Sequence, residues 1–525
     1  MTVAAVVLSL SGCVSLKDYI HNGFKVGPSY CAPQGTTAEG WIDEADVRVQ
    51  QDAGDLSCWW TVFQDPLLDE LIASARIQNL SLREAGFRVL QARAQLGIAR
   101  GNIFPQAQNW SGNYQRRGTP AGPVSPIEIE TDGTAFSVNL RSQNNFYDQW
   151  SHGFNLAWEV DFWGRFRRAV LAAEHTLEAS AASYDEVLVT LLGDIAATYV
   201  HIRTLETRIE FVQQNISEQR KIAGIVRQLH ELGDPRPERR FEQPRRYHVE
   251  QIESILAQTE SHVPQLEIEL REAYNRLCVL LGIPARDLQQ ELQGGRIPTA
   301  ASEVVVGIPA DLLRRRPDIR RAERQVAAQA EQIGIAEAEL YPSFTIVGTL
   351  GYSAPEFQRL FSNQAFNSAI GPSFQWNILN YGRIRNNVRL QDARFQELLV
   401  TYQHAVLRAN AEVENGLVRF LRAQDRAAAL DRSVAHMQRA VAGIEMAREL
   451  RGADANQIAI ITQTKVQQQD LQAQAHGEIA QGLIQVYRAL GGGWEVQYIS
   501  GEATQIPPSS DSPLPVESLP PPIEH

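Results

Sequence analysis

Two periodicities alternate along the chain. From Leu67 to Phe104, apolar residues recur at helical spacing among Ala, Arg, Gln and Leu. Asp65-Pro66 supplies an N-cap and a first-turn proline, and Pro105 ends the run, so the pattern predicts one helix. Beyond Pro105 the period drops to two. Segments 106–115, 151–158, 343–352 and 368–378 each approach the ~9–11 residues that a tilted membrane strand needs. Phe154, Leu156 and Trp158 face one way, Gly153, Asn155 and Ala157 the other. Phe344, Ile346, Leu350 and Tyr352 likewise oppose Ser343, Thr345 and Thr349, and Ile370, Pro372, Phe374 and Trp376 share a face. In the first segment only Trp110 and Tyr114 stand out among polar neighbours. One apolar and one polar face suits a barrel wall between lipid and water, and also the face of a β-sandwich. Loops 117–134 and 353–367, rich in Gly, Pro, Ser and Asn, join the paired strands. Phe166–Leu232 and Ile384–Arg451 then run without proline and read as very long helices. The first reaches roughly 100 Å at ~1.5 Å per residue. Helices at about 247–281 and 455–490 return beside them.

The pattern is duplicated. Val89–Pro105 and Val326–Pro342 share Gly-Ile and aromatic-Pro at one constant separation, 237 residues (97 to 334, 105 to 342). Trp158 precedes Gly164-Arg165 by the same six residues that part Trp376 from Gly382-Arg383. Each long helix then ends near a glycine, Gly233 or Gly452, and each copy closes on Leu-Gly at 281–282 or 490–491. The copies are unequal at one place: Gly233 to Gly282 is about ten residues longer than Gly452 to Gly491, and the excess carries several arginines.

Composition narrows the function. The 525 residues hold 49 Lys+Arg against 61 Asp+Glu, a net charge of −12, which argues against nucleic acid as a partner. No apolar run reaches the ~18 residues of a membrane helix, so any crossing falls to strands. Four cysteines (13, 31, 58 and 278) form no CxxC and no Cys/His cluster with metal-ligand spacing, and no cofactor motif or convergent catalytic set is present. Cys278 reads as core; Cys31 and Cys58 are free to pair or not. At the N-terminus, apolar residues 3–10 end in Leu10-Ser11-Gly12-Cys13, which resembles a bacterial lipobox, although no Lys or Arg precedes them. The resemblance implies cleavage before Cys13 and lipidation of that residue. Val14 in place of an aspartate leans towards the outer membrane.

Two copies give four strands, too few to close around a lumen. Two, three or four chains would give 8, 12 or 16, and closed cyclic symmetry is the usual solution. The chain resembles the outer-membrane factor (TolC) family, in its OprM/NodT-type efflux lipoprotein branch. The matching stretches are Cys58–Leu71, the Gly97/Pro105 and Gly334/Pro342 helix ends, Trp158–Arg165, Pro309–Glu323 (PADLLRRRPDIRRAE) and Trp376–Arg383. The resemblance implies a mainly α fold with a membrane β-barrel portion. It implies a trimer whose 12-stranded β-barrel continues into a 12-helix periplasmic α-barrel. It further implies a passive duct for drugs, solvents, metals or metabolites. The implied setting is the bacterial outer membrane, lipid-anchored and extending into the periplasm, beside a periplasmic adaptor and an inner-membrane RND-type pump. The organisation expected is a signal peptide (1–12), a lipidated extended segment (13–64), a first repeat (65–284), a linker (285–308), a second repeat (309–494) and a disordered Pro-rich tail (495–525).

In the family the hairpin ends form the periplasmic tip, which maps here onto Gly233, Asp234, Gly452, Asp454, Ile461 and Thr462. Asp454 would favour cations at a constriction, or simply N-cap the returning helix; the two roles are compatible. The family often has an aspartate where Thr462 stands, which leaves an Asp-ring gate in question. Pro105, Trp158, Gly164, Pro342, Trp376 and Gly382 mark the helix–strand junctions. Competing readings are the outer-membrane arm of a type I protein secretion system and a poreless periplasmic coiled-coil scaffold.

Overall fold

The computed structural model describes residues 16–35, 38–50, 54–118, 127–131, 134–138, 146–232, 246–292, 294–307, 309, 315–451 and 455–496. Cys13, the tip residues Gly233, Asp234, Gly452 and Asp454, and the tail beyond 496 lie outside them. The chain divides into two compact units. Met1–Ala32, Gln91–Leu177 and Arg324–Leu398 make up one; Pro33–Leu90, Glu178–Glu323 and Leu399–His525 make up the other.

In the first unit, besides a short helix α1 (Leu16–His21), the chain is dominated by an antiparallel sheet of β2 (Ala107–Gly118), β5 (Phe146–Val160), β7 (Ser343–Ala354) and β8 (Phe366–Gln375), in the order β2-β5-β7-β8. All four expected strands form, and each reaches beyond its alternating stretch at one end or both. The first loop holds a feature that periodicity did not suggest, a hairpin of β3 (Ile127–Thr131) and β4 (Thr134–Val138). Five-residue strands are too short to show a period against a polar loop. Pro372 lies in β8, an edge strand, where the missing N–H is tolerated.

The second unit holds the main core. Apolar positions on α4 (Arg165–Leu232), α5 (Arg246–Leu281), α7 (Arg383–Arg451) and α8 (Ala455–Ala489) converge there. Leu192, Ile195 and Tyr199 from α4 meet Leu277 from α5, Phe420 from α7 and Leu483 from α8, all fully buried. Each such side chain contributes on the order of 1.5–3 kcal/mol. Trp59 and Trp60 enter the same core, and Trp59 stacks on Tyr487 with ring centroids 5.6 Å apart. Cys278 is fully buried, as expected, and Cys31 and Cys58 are free thiols. The segment between the copies is tied in by a parallel pairing of β1 (Val49–Gln50) with β6 (Val304–Val305).

Two expectations change. The helix expected over 67–104 is two helices, α2 (Pro66–Gln78) and α3 (Leu80–Gly101). Asn79 breaks it: its Oδ1 accepts from Leu82 N at 2.8 Å, capping α3, and its Nδ2 donates to Leu280 O at 2.8 Å. Asn prefers such local bonds to a helix interior. Second, α4 does contain an 18-residue stretch apolar enough to cross a membrane, but 72% of that stretch is buried inside the protein. Its apolarity serves the core, whereas the strands carry the alternating pattern of a membrane wall.

The duplication holds in three dimensions. Helix α3 and its counterpart α6 (Pro317–Ala338) both have 22 residues and start 237 residues apart. Helices α4 and α7 have 68 and 69 residues.

Candidate functional site

The strand register sorts the sheet into two faces. Trp110 pairs with Phe154, Phe154 with Leu350, and Leu350 with Ser368, so directly opposed residues share a face across all four strands. Even-numbered positions form one face and odd-numbered positions the other. The even face carries Trp110, Phe154, Leu156, Leu350, Ile370 and Phe374. The odd face carries Asn109, Ser111, Asn113, Asn155, Thr345 and Thr349, with charges only towards its two ends, at Arg117 and Glu159. Amides and hydroxyls there bond to one another: Asn155 Nδ2 donates to Ser111 Oγ at 3.0 Å, and Gln149 Nε2 to Ser353 Oγ at 3.2 Å. An apolar face for lipid and an uncharged hydrophilic face for a lumen is the chemistry of a water-filled membrane duct.

Aromatic residues on the even face gather at two levels. Trp158, Phe344 and Phe374 stand at one end, Tyr114, Trp150 and Tyr352 at the other. Eight residues along a strand is about 26 Å of contour, or roughly 20 Å of height at a ~40° tilt. That is near the ~25 Å apolar band expected between the interfacial girdles of a barrel.

The junction landmarks prove to be parts of one device used twice. Trp158 Nε1 donates to Ile103 O at 3.1 Å, and Trp376 Nε1 donates to Leu340 O at 3.0 Å. Ile103 and Leu340 each lie two residues before the helix-ending proline, Pro105 or Pro342. Each indole therefore fixes a helix exit against a strand. Pro342 O also accepts from Trp163 Nε1 at 2.8 Å. Gly164 and Gly382, with φ of 82° and 81°, turn the chain into the long helices through a conformation that side chains resist.

One junction carries more. Arg168 is almost wholly buried, donates to Glu331 at 2.7 Å and reaches the carbonyls of Gly27 and Pro28 at 2.9 and 3.1 Å. A Cβ on Gly334 would stand 2.3 Å from its Nε, so the repeat glycine makes room for this side chain. At Gly97, the equivalent position, nothing lies within 4 Å. In the PADLLRRRPDIRRAE motif, Arg316 donates to Ala489 O at 2.6 Å, which closes the end of α8, and to Glu412 at 2.7 Å and Asp318 at 2.8 Å. It joins three helices. Arg315 lies beside it at the same junction and pairs with Glu495.

At the hairpins, Ile461 and Thr462 fall in α8, with Thr462 buried. Around it lies a seam that the sequence reading missed. Asn215 and Gln219 on α4 and Lys465 and Gln469 on α8 are all buried. Asn215 Nδ2 donates to Gln469 Oε1 at 2.8 Å and Lys465 Nζ to Glu218 at 2.6 Å, while Asn215 Oδ1 and both Gln219 amide atoms have no partner. The signal was present as polar residues spaced i, i+4 on two long helices, a spacing indistinguishable from an exposed face. By contrast α4 meets α5 through Ala223, Val226 and Ile252. Among the described residues no His, Cys, Asp and Glu group is arranged to hold a metal ion.

Comparison with known proteins agrees with this geometry. A family model described as outer membrane efflux protein matches residues 71–282 and 308–492. Nodulation protein T of Rhizobium leguminosarum bv. trifolii is 30% identical over 433 residues, covering 81% of this chain and 83% of its own. The pyoverdine export outer membrane protein OpmQ of Pseudomonas aeruginosa is 29% identical, covering 85% and 89%. Among solved structures, the outer-membrane channel OprN superposes with a TM-score of 0.79 at 28% identity, over 90% of this chain and 99% of that one. The chain therefore belongs to the outer membrane efflux protein family, and is an outer-membrane efflux channel of the kind used by tripartite pumps, reaching into the periplasm.

Proposed function

We propose that this channel is a passive homotrimer that conducts small molecules outward from an inner-membrane RND-type pump, received through a periplasmic adaptor. Twelve strands close its barrel and twelve long helices continue the duct. The observation that carries the reading is the pair of edges on the sheet: among the described residues, β2 and β8 each pair on one side only. Each unpaired backbone group in lipid costs several kcal/mol, on the order of 2–7. Joining β8 of one copy to β2 of the next removes both edges and turns the uncharged odd face inward. Export of pyoverdine by the relative OpmQ favours a small-molecule cargo here. The odd face offers amides and hydroxyls for passage, and in this reading the protein acts as a duct and not as an enzyme.

Cys13 anchors the chain in the outer-membrane lipid once lipidated. The periplasmic end closes on Gly233, Asp234, Gly452 and Asp454, with Ile461 and Thr462 at the start of the returning helix. The polar seam around Thr462 supports a tip whose packing can be rearranged, because amides exchange partners more readily than interlocked apolar side chains. The test is the mass of the detergent-solubilised assembly together with conductance in planar bilayers. The expected result is a conducting particle of three chains; a monomer that stays soluble without detergent overturns the reading. Cys13→Ser is expected to abolish labelling by radioactive fatty acid, and persistent labelling refutes the anchor.

A further inference from the structure

The external loop between β7 and β8 does not extend the strands into solvent. Its two short turns, Phe357–Arg359 and Asn363–Ala365, fold back onto the even face of the sheet. Phe357 packs edge-on to Trp150 with ring centroids 5.1 Å apart, and Phe361 meets His152 at 5.1 Å. Leu360 is buried with Ala354 and Ala365 against Trp150 and Tyr352. Between this folded loop and strands β2 and β5 lies an open groove of about 500 Å³. Phe357, Leu360 and Phe361 form one wall; Trp110, Tyr114 and Trp150 form the other.

Three observations point to its occupant. The groove opens on the face that meets lipid, continuous with the apolar band below it. Its walls stay exposed in spite of their apolarity: Trp110 is 68% exposed, Phe361 67% and Phe357 56%. Past Tyr114 and Trp150 the same strand face turns charged, with Arg116 beside Asp148 at 3.8 Å, and the loop itself carries Arg359 beside Glu356 at 3.1 Å. An aromatic slot below a rim of both charge signs matches a lipid, with its chain in the slot and its head at the rim.

We propose that this groove seats one acyl chain of a lipid of the outer leaflet, held between Phe357/Phe361 and Trp110/Trp150. The proposal rests on the even face being the lipid face, and its test separates the two. Full-length protein is solubilised, offered either a phosphatidylethanolamine or lipopolysaccharide, and examined by native mass spectrometry for lipid retained per chain. Wild type is expected to retain one lipid per chain. Phe357→Ser/Phe361→Ser is expected to lose it at least five-fold, whereas Ile370→Ser, on the same face outside the groove, keeps it. Retention of lipopolysaccharide supports the seat; retention of phosphatidylethanolamine alone, equal retention by all three proteins, or retention by none overturns it. A second measurement does not depend on a variant folding. In crystals of wild-type protein grown with a phospholipid brominated on its acyl chain, a bromine peak against Phe361 supports the seat. Bromine only elsewhere on the even face overturns it while leaving the lipid face intact, and bromine against the odd face sinks both.

Discussion

At the scale of single residues, one buried ion pair stands where the chain crosses between strand and helix. Arg168 and Glu331 are shielded from solvent, and Arg168 also holds two backbone carbonyls near the N-terminus. Removing one partner of such a pair leaves an uncompensated charge, at about 3–5 kcal/mol. Arg168→Met is expected to lower the unfolding temperature of the detergent-solubilised protein sharply, and Arg168→Met/Glu331→Leu to recover most of the loss. A double variant no better than the single one would show that the two carbonyl contacts, not the pair, dominate. Nearby, burial raises the carboxyl pKa of half-buried Glu337 despite the opposing field of Arg168. A raised folded-state pKa favours the protonated form, so the stability it contributes is present in acid and lost as pH rises through the shifted value. Glu337→Gln is expected to match wild type at about pH 4 and to melt higher at about pH 7; equal melting at both refutes the burial account. The sequence displayed Gly334 as a repeat landmark but not its purpose, because the arginine it accommodates lies on another helix.

The elements were legible to different degrees, for physical reasons. The long helices and their return partners appear within one or two residues of their expected ends; for the two long ones, a proline-free run ending at a glycine leaves little choice, whereas α5 forms in spite of Pro264. The break at Asn79 was hidden because its partner Leu280 is 201 residues away. The seam between α4 and α8 was hidden because buried amides and exposed amides read alike. Its incomplete hydrogen bonding makes a specific demand. Replacing both members of the bonded pair, Asn215→Leu/Gln469→Leu, is expected to raise the unfolding temperature and slow proteolysis of the hairpins, since an orphaned Oδ1 is removed along with the pair. Asn215→Leu alone leaves Gln469 buried without its donor and is expected to cost about 1–3 kcal/mol. If the double variant is the less stable one, ordered water already satisfies the seam.

For the whole molecule, alternation along single strands left open whether the two-faced pieces belonged to a barrel wall or a sandwich. Membership of the outer membrane efflux protein family decides for the barrel wall, and the register assigns residues to its two faces. Bulk on the odd face should obstruct passage, and bulk lost from the even face should not. Ser111→Trp is expected to reduce single-channel conductance severalfold in planar bilayers, with Ile370→Ala unchanged; the reverse result would invert the assignment of lumen and lipid.

The paired indole bonds, Trp158 to Ile103 and Trp376 to Leu340, also carry a history. The same contact recurs at a separation of 237 residues (103 to 340), as a gene doubled end to end would leave it. In the proposed trimer, three doubled chains stand where six half-length ancestors would form the same ring. Arg168 marks where the halves stopped being interchangeable. Counting from Gly164 and Gly382, its counterpart is Asn386, and the counterpart of Glu331, counted from Gly97 and Gly334, is Ala94. With the ion pair confined to one half, the two halves are no longer equivalent, and each is free to diverge towards its own neighbour.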